Sequence, residues 1–411
     1  MSSTTTRVAL VTHGFYLGGG VSTVARWLRD ALNGMGGYCV DVHDLATSSR
    51  DWASRRVVSP KSWLRPSLQS GWPPDDTTAV HWGANAVEIE AMRYRPRREL
   101  TRTLRSYDIV QIVSGSSAWA YPVAGIGIPT VLQVATSVSW ERQWHLAEQS
   151  PLKGAWQLAM SALTSRVERA GLRAVDTVLV ENSTMLGFAR AAGSTRVRKA
   201  PPGVDTTTFS PAPSGWQGGG HVLSVCRLGD PRKGLDRTVR AYACMVRLDP
   251  TVPRLVLAGK GAITGAVREL LVDLQVAARV SIRSDVTLED MVILYRDASV
   301  FLQTSYEEGL GMSVLEAMAS GLPVVATETA GSRETVAEGV TGHLVKQSPE
   351  VEVPALVAQH ALHILRKSGM AMAIRARNRC EEMFSTDVCI RRYIEAYDDL
   401  LATKRGPNNP P

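Results

Sequence analysis

The chain has no long apolar run. Across 411 residues no stretch approaches the roughly 18 consecutive apolar residues that cross a bilayer. No apolar run near the N-terminus resembles a secretory signal, so the expected location is cytoplasmic. Cysteine is sparse and scattered: Cys39, Cys226, Cys244, Cys380 and Cys389 form no even, regularly spaced set. That excludes a disulfide framework and fits reduced, mostly buried thiols. No cluster of His, Cys and Asp has metal-ligand spacing, so no metal is expected. No internal sequence repeat is apparent.

What is present is ordinary for a soluble globular protein: 44% hydrophobic and 21% charged residues. The length allows about two or three domains. Charge is uneven. Residues 1–205 carry 23 Lys/Arg against 16 Asp/Glu, a net of +7, whereas residues 206–411 carry 23 against 23. The ten tryptophans run from Trp27 to Trp216. A basic, Trp-bearing half suits an anionic membrane face or an acidic or lipid-linked acceptor. Core tryptophans and solvated arginines fit the same composition. The basic run Met92–Arg98 belongs to no nucleic-acid module, so no nucleic acid is expected as a partner.

Apolar runs read as buried parallel strands at Val8–Val11, Ile109–Val113, Val131–Val134, Thr177–Val180, Val222–Val225, Leu255–Ala258, Val280–Ile282, Val300–Gln303 and Val324–Ala326. Amphipathic stretches between them predict helices at Val21–Leu32, Ser161–Arg173, Arg237–Leu248 and Gly265–Leu274. The alternation predicts an α/β class with two doubly wound, Rossmann-like parallel-sheet domains facing a central cleft. Pro201-Pro-Gly followed by Ser210-Pro-Ala-Pro-Ser-Gly-Trp-Gln-Gly-Gly-Gly breaks regular structure and marks the boundary. The expected division is an N-terminal domain 1–205, a C-terminal domain 206–384, a final helix within 385–405 and a loose tail 406–411. Residues 45–86 give no clear pattern.

The most informative segment is Glu307-Glu-Gly-Leu-Gly-Met-Ser-Val-Leu-Glu316. A glycine turn entering a helix offers free amides and the positive end of the helix dipole, a place for phosphate. Glu308 before the turn and Glu316, expected in the first helical turn, can accept from sugar hydroxyls, because a carboxylate is an acceptor only. Phosphate beside hydroxyls outlines a nucleotide-sugar. Ser313-Val-Leu-Glu316 fits a ligand-free capping box as well. Arg227 and Lys233 lie on the loop after Val222–Val225, where two cations could clamp a diphosphate or simply be solvated. Gly18-Gly19-Gly20 opens a helix after the first strand. His13 ends that strand and suits either a structural or a catalytic role.

Taken in order, GGGVSTVARWLRDAL, PPGVDTTTFSP, RLGDPRKGLD, EEGLGMSVLEAMASGLPVVAT and GSRETVAEGVTGHLV resemble glycosyltransferase family 4. The resemblance covers almost the whole chain and is strongest from Gly203 to Val345. It implies a retaining, metal-independent, nucleotide-sugar-dependent transferase of the GT-B fold, with the nucleotide-sugar as substrate and no cofactor. It implies that Glu316 holds the ribose, Glu308 lies near the donor sugar, and the loop Gly309, Leu310, Gly311, Met312 and Ser313 holds phosphate. Arg227 and Lys233 match the basic pair on the diphosphate, Arg283 stands at the strand end that meets the base, and Gly19 and Gly20 match the N-terminal glycine turn. The C-terminal half would bind the donor and the N-terminal half a glycan, lipid-linked or small-molecule acceptor. Three places depart from the family pattern. Gln133 and Ala135 stand where a threonine and a histidine usually do, no histidine follows Asp108-Ile-Val, and Pro202 replaces an asparagine. His13 is the candidate to take the missing histidine's part. A non-catalytic relative and a GT-B epimerase or phosphorylase remain alternatives on the same fold.

Overall fold

A computed structural model of the protein describes residues 5–64, 69–71, 79–138, 140 and 151–405. The tail expected at 406–411 lies outside them. The chain forms two compact units, Met1–Pro202 with Cys389–Pro411, and Gly203–Val388.

The first unit is built on an eight-stranded sheet. Its strands are β1 (Thr6–His13), β2 (Tyr38–Leu45), β3 (Gln69–Gly71), β4 (Ala79–Trp82), β5 (Ile109–Ser114), β6 (Thr130–Val134), β7 (Thr177–Val180) and β8 (Val197–Lys199), in spatial order β3-β4-β2-β1-β5-β6-β7-β8. Every neighbouring pair is parallel except β3 with β4 at the edge. The strands are apolar on both sides because both faces are covered. Val8 and Leu10 of β1 pack into one core and Ala9 and Val11 into the other. Helix α1 (Gly20–Met35) buries Val24, Leu28 and Leu32. Helix α2 (Pro151–Arg173) extends further toward the N-terminus than its apolar periodicity predicts. The C-terminal helix Thr386–Arg405 belongs here as well: Ile390, Tyr393, Tyr397 and Leu400, spaced for one helical face, join the core around Leu28 and Leu32. Buried Tyr397 donates to Gln111 Oε1 at 2.8 Å, so its hydroxyl is satisfied.

The second unit holds β9 (His221–Val225), β10 (Leu255–Gly259), β11 (Val280–Ser284), β12 (Ala298–Gln303), β13 (Val324–Thr327) and β14 (Gly342–Val345) in the order β11-β10-β9-β12-β13-β14, all parallel. Counting from its first strand this is order 3-2-1-4-5-6, a doubly wound sheet. Here also the strands split their side chains between two cores, with Val300 and Leu302 in one and Phe301 in the other. The helices that position chemistry are α3 (Leu235–Leu248), α4 (Leu288–Arg296) and α5 (Met312–Ala319).

Four parallel strands escape the sequence pattern: β2, β4, β8 and β14. β2 is broken in sequence by Asp41, His43 and Asp44. Inside the unit these are satisfied: His43 pairs with the Tyr107 hydroxyl at 3.2 Å, and Asp44 accepts from the Phe15 amide at 3.0 Å. The five cysteines are free; Cys380 and Cys389 are buried and Cys39 is exposed.

Candidate functional site

In the second unit the strand order runs outward in both directions from β9 and β12, so the loops leaving their carboxyl ends diverge and open a crevice. The loop after β9 carries Arg227 to Lys233, and the loop after β12 carries Glu307 to Gly311. The two are stitched together. The Tyr306 amide donates to Arg232 O at 2.8 Å, and Thr304 Oγ1 donates to Gly234 O at 2.7 Å. Gly234 adopts φ 61°, and a β-carbon there would sit 2.2 Å from the Thr304 carbonyl oxygen. Only glycine lets the loops approach this closely.

Across that seam Lys233 Nζ donates to Glu308 Oε2 at 2.7 Å, and Ser305 Oγ reaches the same oxygen at 3.3 Å. Both side chains of the ion pair are largely buried, with exposures of 19% and 17%. Burial works against the Lys233 charge, but Glu308 outweighs it and holds the ammonium above its ordinary pKa. A bare cation and a bare carboxylate are thus kept half-dry at the mouth of the crevice, each satisfied by the other.

Glu308 leads into Gly311, whose φ of 89° turns the chain into α5. The amides of Met312 and Ser313, at the start of α5, have no acceptor within the helix and carry its positive end. No side chain caps this helix. The capping-box alternative is therefore not realised. Glu316 is the fifth helical residue, not in the first turn as expected, and its Oε2 accepts from the Tyr295 hydroxyl at 2.8 Å. Burial raises the Glu316 carboxyl to about 7, with the Tyr295 bond acting in the opposite direction. Tyr295 gave no signal in sequence, being a single aromatic residue in α4.

Arg227 follows β9 and is exposed; its carbonyl accepts from the Asp230 amide at 3.2 Å, and among the described residues its side chain makes no hydrogen bond or ion pair. The basic pair is therefore unequal: Lys233 is engaged and Arg227 is free. Arg232, which sequence reasoning passed over, is the more constrained neighbour. It bonds Asp230 through Nε at 3.1 Å and Nη2 at 2.9 Å, and reaches Glu307 at 3.4 Å. Arg283 lies at the end of β11 and lines an open cavity of about 480 Å³ with Asp285, Thr287, Asp290, Ile293 and Leu294. Helix α4 supplies the last three of these and also Tyr295, so the cavity adjoins Glu316 through one helix.

The first unit has its own reversal point between β1 and β5. His13, at the end of β1, stacks on Trp119 in the segment after β5, with centroids 4.5 Å apart. Burial pushes the His13 imidazole down to about 4, against the pull of Asp44, so the ring is neutral at pH 7. Among the described residues its buried Nε2 has no hydrogen-bond partner. Gly19, at φ 101°, precedes α1, and Gly20 begins it. Gln133 is buried in β6 with Nε2 3.4 Å from Glu181. Beside His13 lies a cluster with no sequence motif: His81 bonds Asp44 at 2.8 Å through Nδ1 and Asp51 at 2.7 Å through Nε2. Burial pulls the His81 pKa down, but the two carboxylates outweigh it and leave the ring at about 9, a cation at pH 7.

Residues 219–366 match the family of glycosyl transferases group 1. A D-inositol 3-phosphate glycosyltransferase of Salinispora tropica is 31% identical over 237 residues, which are 52% of this chain and 48% of that protein. A GDP-mannose-dependent alpha-(1-6)-phosphatidylinositol monomannoside mannosyltransferase of Mycolicibacterium smegmatis is 31% identical over 237 residues, 54% of this chain and 61% of that protein. The chain therefore spans about half the length of these curated relatives. Among solved structures, sucrose-phosphate synthase from Thermosynechococcus elongatus superposes with a TM-score of 0.69 at 19% identity, covering 97% of this chain and all (100%) of that one. Anabaena Alr3699/HepE, solved with UDP and glucose, gives a TM-score of 0.69 at 16% identity and covers 96% and 100%.

Proposed function

We propose that this chain, which carries a glycosyl transferases group 1 domain at residues 219–366 and has the GT-B fold, moves a sugar from a nucleoside diphosphate to an acceptor hydroxyl. The observation that supports this most is the Lys233–Glu308 pair set beside the uncapped start of α5. In this reading Glu316 binds the ribose hydroxyls and Arg283 stands by the base. The amides of Gly309, Leu310, Gly311, Met312 and Ser313 receive the diphosphate, joined by Lys233 and the free Arg227.

Cleaving the bond between sugar and phosphate builds negative charge on the diphosphate and positive charge on the anomeric carbon. Lys233 and the α5 amides face the first charge already oriented, so little reorganisation is needed as it develops, and the exposed Arg227 turns in to join them. Arrival of the diphosphate shares Lys233 between phosphate and Glu308. Glu308 then points its freed acceptor capacity at the donor sugar's hydroxyls. The proposal includes retention of configuration with departure and attack on one face, no protein nucleophile and no metal. The first unit takes the acceptor, with Gly19 and Gly20 allowing close backbone approach. His13, neutral and with an unpartnered nitrogen, orients the incoming hydroxyl. The names of the relatives support an acceptor rich in hydroxyls, and the basic charge of residues 1–205 supports one that is acidic or held at an anionic membrane face.

The test is a thermal-shift screen against UDP-, GDP- and ADP-sugars, followed by a transfer assay with the donor that binds. A ligand bound only to the folded state raises the melting temperature by mass action. Binding without transfer or donor hydrolysis would point to a non-catalytic relative. Release of sugar 1-phosphate or of an epimerised donor would replace transfer by phosphorolysis or epimerisation.

A further inference from the structure

The first unit exposes an apolar surface that the proposed chemistry leaves unused. Val58 is 71% exposed, Trp63 58% and Leu64 86%, while Val57 and Ile89 are each 50% exposed. These residues come from two stretches that the fold binds together. The Val57 amide donates to Glu88 Oε2 at 3.0 Å, and Arg56 Nε bonds Glu88 Oε1 at 3.2 Å. Trp63 Nε1 donates to Arg56 O at 2.6 Å. The indole's polar end is thus already satisfied while its ring faces solvent. Arg55, Val57, Trp63, Asn85 and Ala86 line an open hollow of about 310 Å³ beside it.

The acids near this surface are engaged: Glu90, next to Ile89, accepts from the Tyr94 hydroxyl at 2.9 Å. Glu88 is engaged by Arg56 and Asp51 by His81. Arg50 and Lys61 are exposed, and among the described residues their side chains make no ion pair. Exposed aliphatic side chains, an indole with a satisfied polar end, and free cations at the rim match the interface of a bilayer with anionic headgroups. A second copy of the chain fits less well: the same patch on both sides of a two-fold contact would put the Lys61 and Arg50 of both copies into one interface, cations without added acids. We propose that the surface formed by Val57, Val58, Trp63, Leu64 and Ile89 docks the first unit onto an anionic lipid bilayer, apolar side chains inserted and Arg50 and Lys61 at the headgroups. This deepens the peripheral-membrane part of the proposed function and does not depend on glycosyl transfer.

The experiment is flotation of the full chain with vesicles of phosphatidylcholine alone and of phosphatidylcholine mixed with phosphatidylglycerol. The wild type is expected to float with the mixed vesicles, and less as salt rises. Leu64→Asp places a charge at a side chain that is 86% exposed, and it should lower flotation roughly tenfold or more with an unchanged melting temperature. Lys61→Glu should lower flotation on the mixed vesicles only. Nucleotide-induced thermal shift, read on the same proteins, should be the same in all three and reports separately on the donor site. Wild-type chain that stays with the bottom fraction, or Leu64→Asp that floats as the wild type does, overturns the proposal. So does a wild-type dimer in solution that Leu64→Asp dissociates while neither protein binds vesicles, which would assign the surface to a second copy.

Discussion

Glu316→Gln separates what the second unit needs for stability from what it needs for its proposed ligand. The Glu316 carboxyl is held at about 7 instead of the ordinary 4.5 because α4, α5 and their core bury it. Below pH 4.5 it is protonated in both the folded and the unfolded chain. Between 4.5 and 7 the folded chain keeps the proton and the unfolded chain releases it, so stability falls as pH rises. Above 7 the whole cost is present. At about 1.4 kcal/mol per pH unit the full difference is on the order of 3 kcal/mol. The residue is partly exposed, so about 1–3 kcal/mol is the expected size after solvent screening. Glutamine keeps the shape and still accepts from the Tyr295 hydroxyl without a charge to desolvate. Urea unfolding from pH 5 to 8.5 should therefore show Glu316→Gln more stable than wild type at the alkaline end, with the gap closing toward pH 5. Nucleotide binding should weaken in the same variant, because ribose hydroxyls lose an ionised acceptor. A stability difference independent of pH, or a variant less stable at pH 8, would refute the reasoning.

Lys233→Ala removes one preorganised cation and strands Glu308; transfer should fall roughly 100-fold, measured as kcat on the donor identified by screening. Normal turnover in that variant would remove the diphosphate assignment. Tyr295→Phe deletes the bond that favours ionised Glu316, so the midpoint of nucleotide binding against pH should move above about 7, followed by calorimetric titration at several pH values; an unmoved midpoint would show that the tyrosine does not tune the carboxylate. Glu350→Ala leaves the Arg237 guanidinium, 2% exposed, stacked 3.6 Å above the Tyr306 ring without its carboxylate. It should cost about 1–3 kcal/mol in urea unfolding, and a neutral result would show that Gln347 and the Thr304 carbonyl suffice.

Much of the fold is legible in the sequence because strands buried on both faces are mostly apolar, as Ile109–Ser114 and Ala298–Gln303 are, each buried along its whole length. β2 and β4 are not legible, since Asp44 and His81 lie inside them and are tolerated only because they bond each other across adjacent strands. The loops after β9 and β12 are legible through glycine, which the turn before α5 and the approach of Gly234 to Thr304 require. Which charges meet is a different matter. Sequence order sets Lys233 and Glu308 75 residues apart, and it is the adjacency of β9 and β12 that brings them into contact. The same adjacency puts Arg232, unremarked in sequence, between Asp230 and Glu307. Tyr295 reaches Glu316 only through helix packing, for which a single aromatic residue leaves no trace.

The C-terminal helix has a consequence for biosynthesis. Gly203–Val388 is a closed stretch of chain, and all of its strands have been translated before the last helix begins. The first unit, although made earlier, waits for Ile390, Tyr393, Tyr397 and Leu400 to cover the face formed by Val8, Leu10, Leu28 and Leu32. On the ribosome the later-synthesised unit is therefore the first able to close, and the earlier one holds an uncovered greasy face until its final helix emerges. A stalled or nicked chain that ends before Cys389 would be a target for chaperones and proteases at that face, with the glycine turn before α5 fully formed.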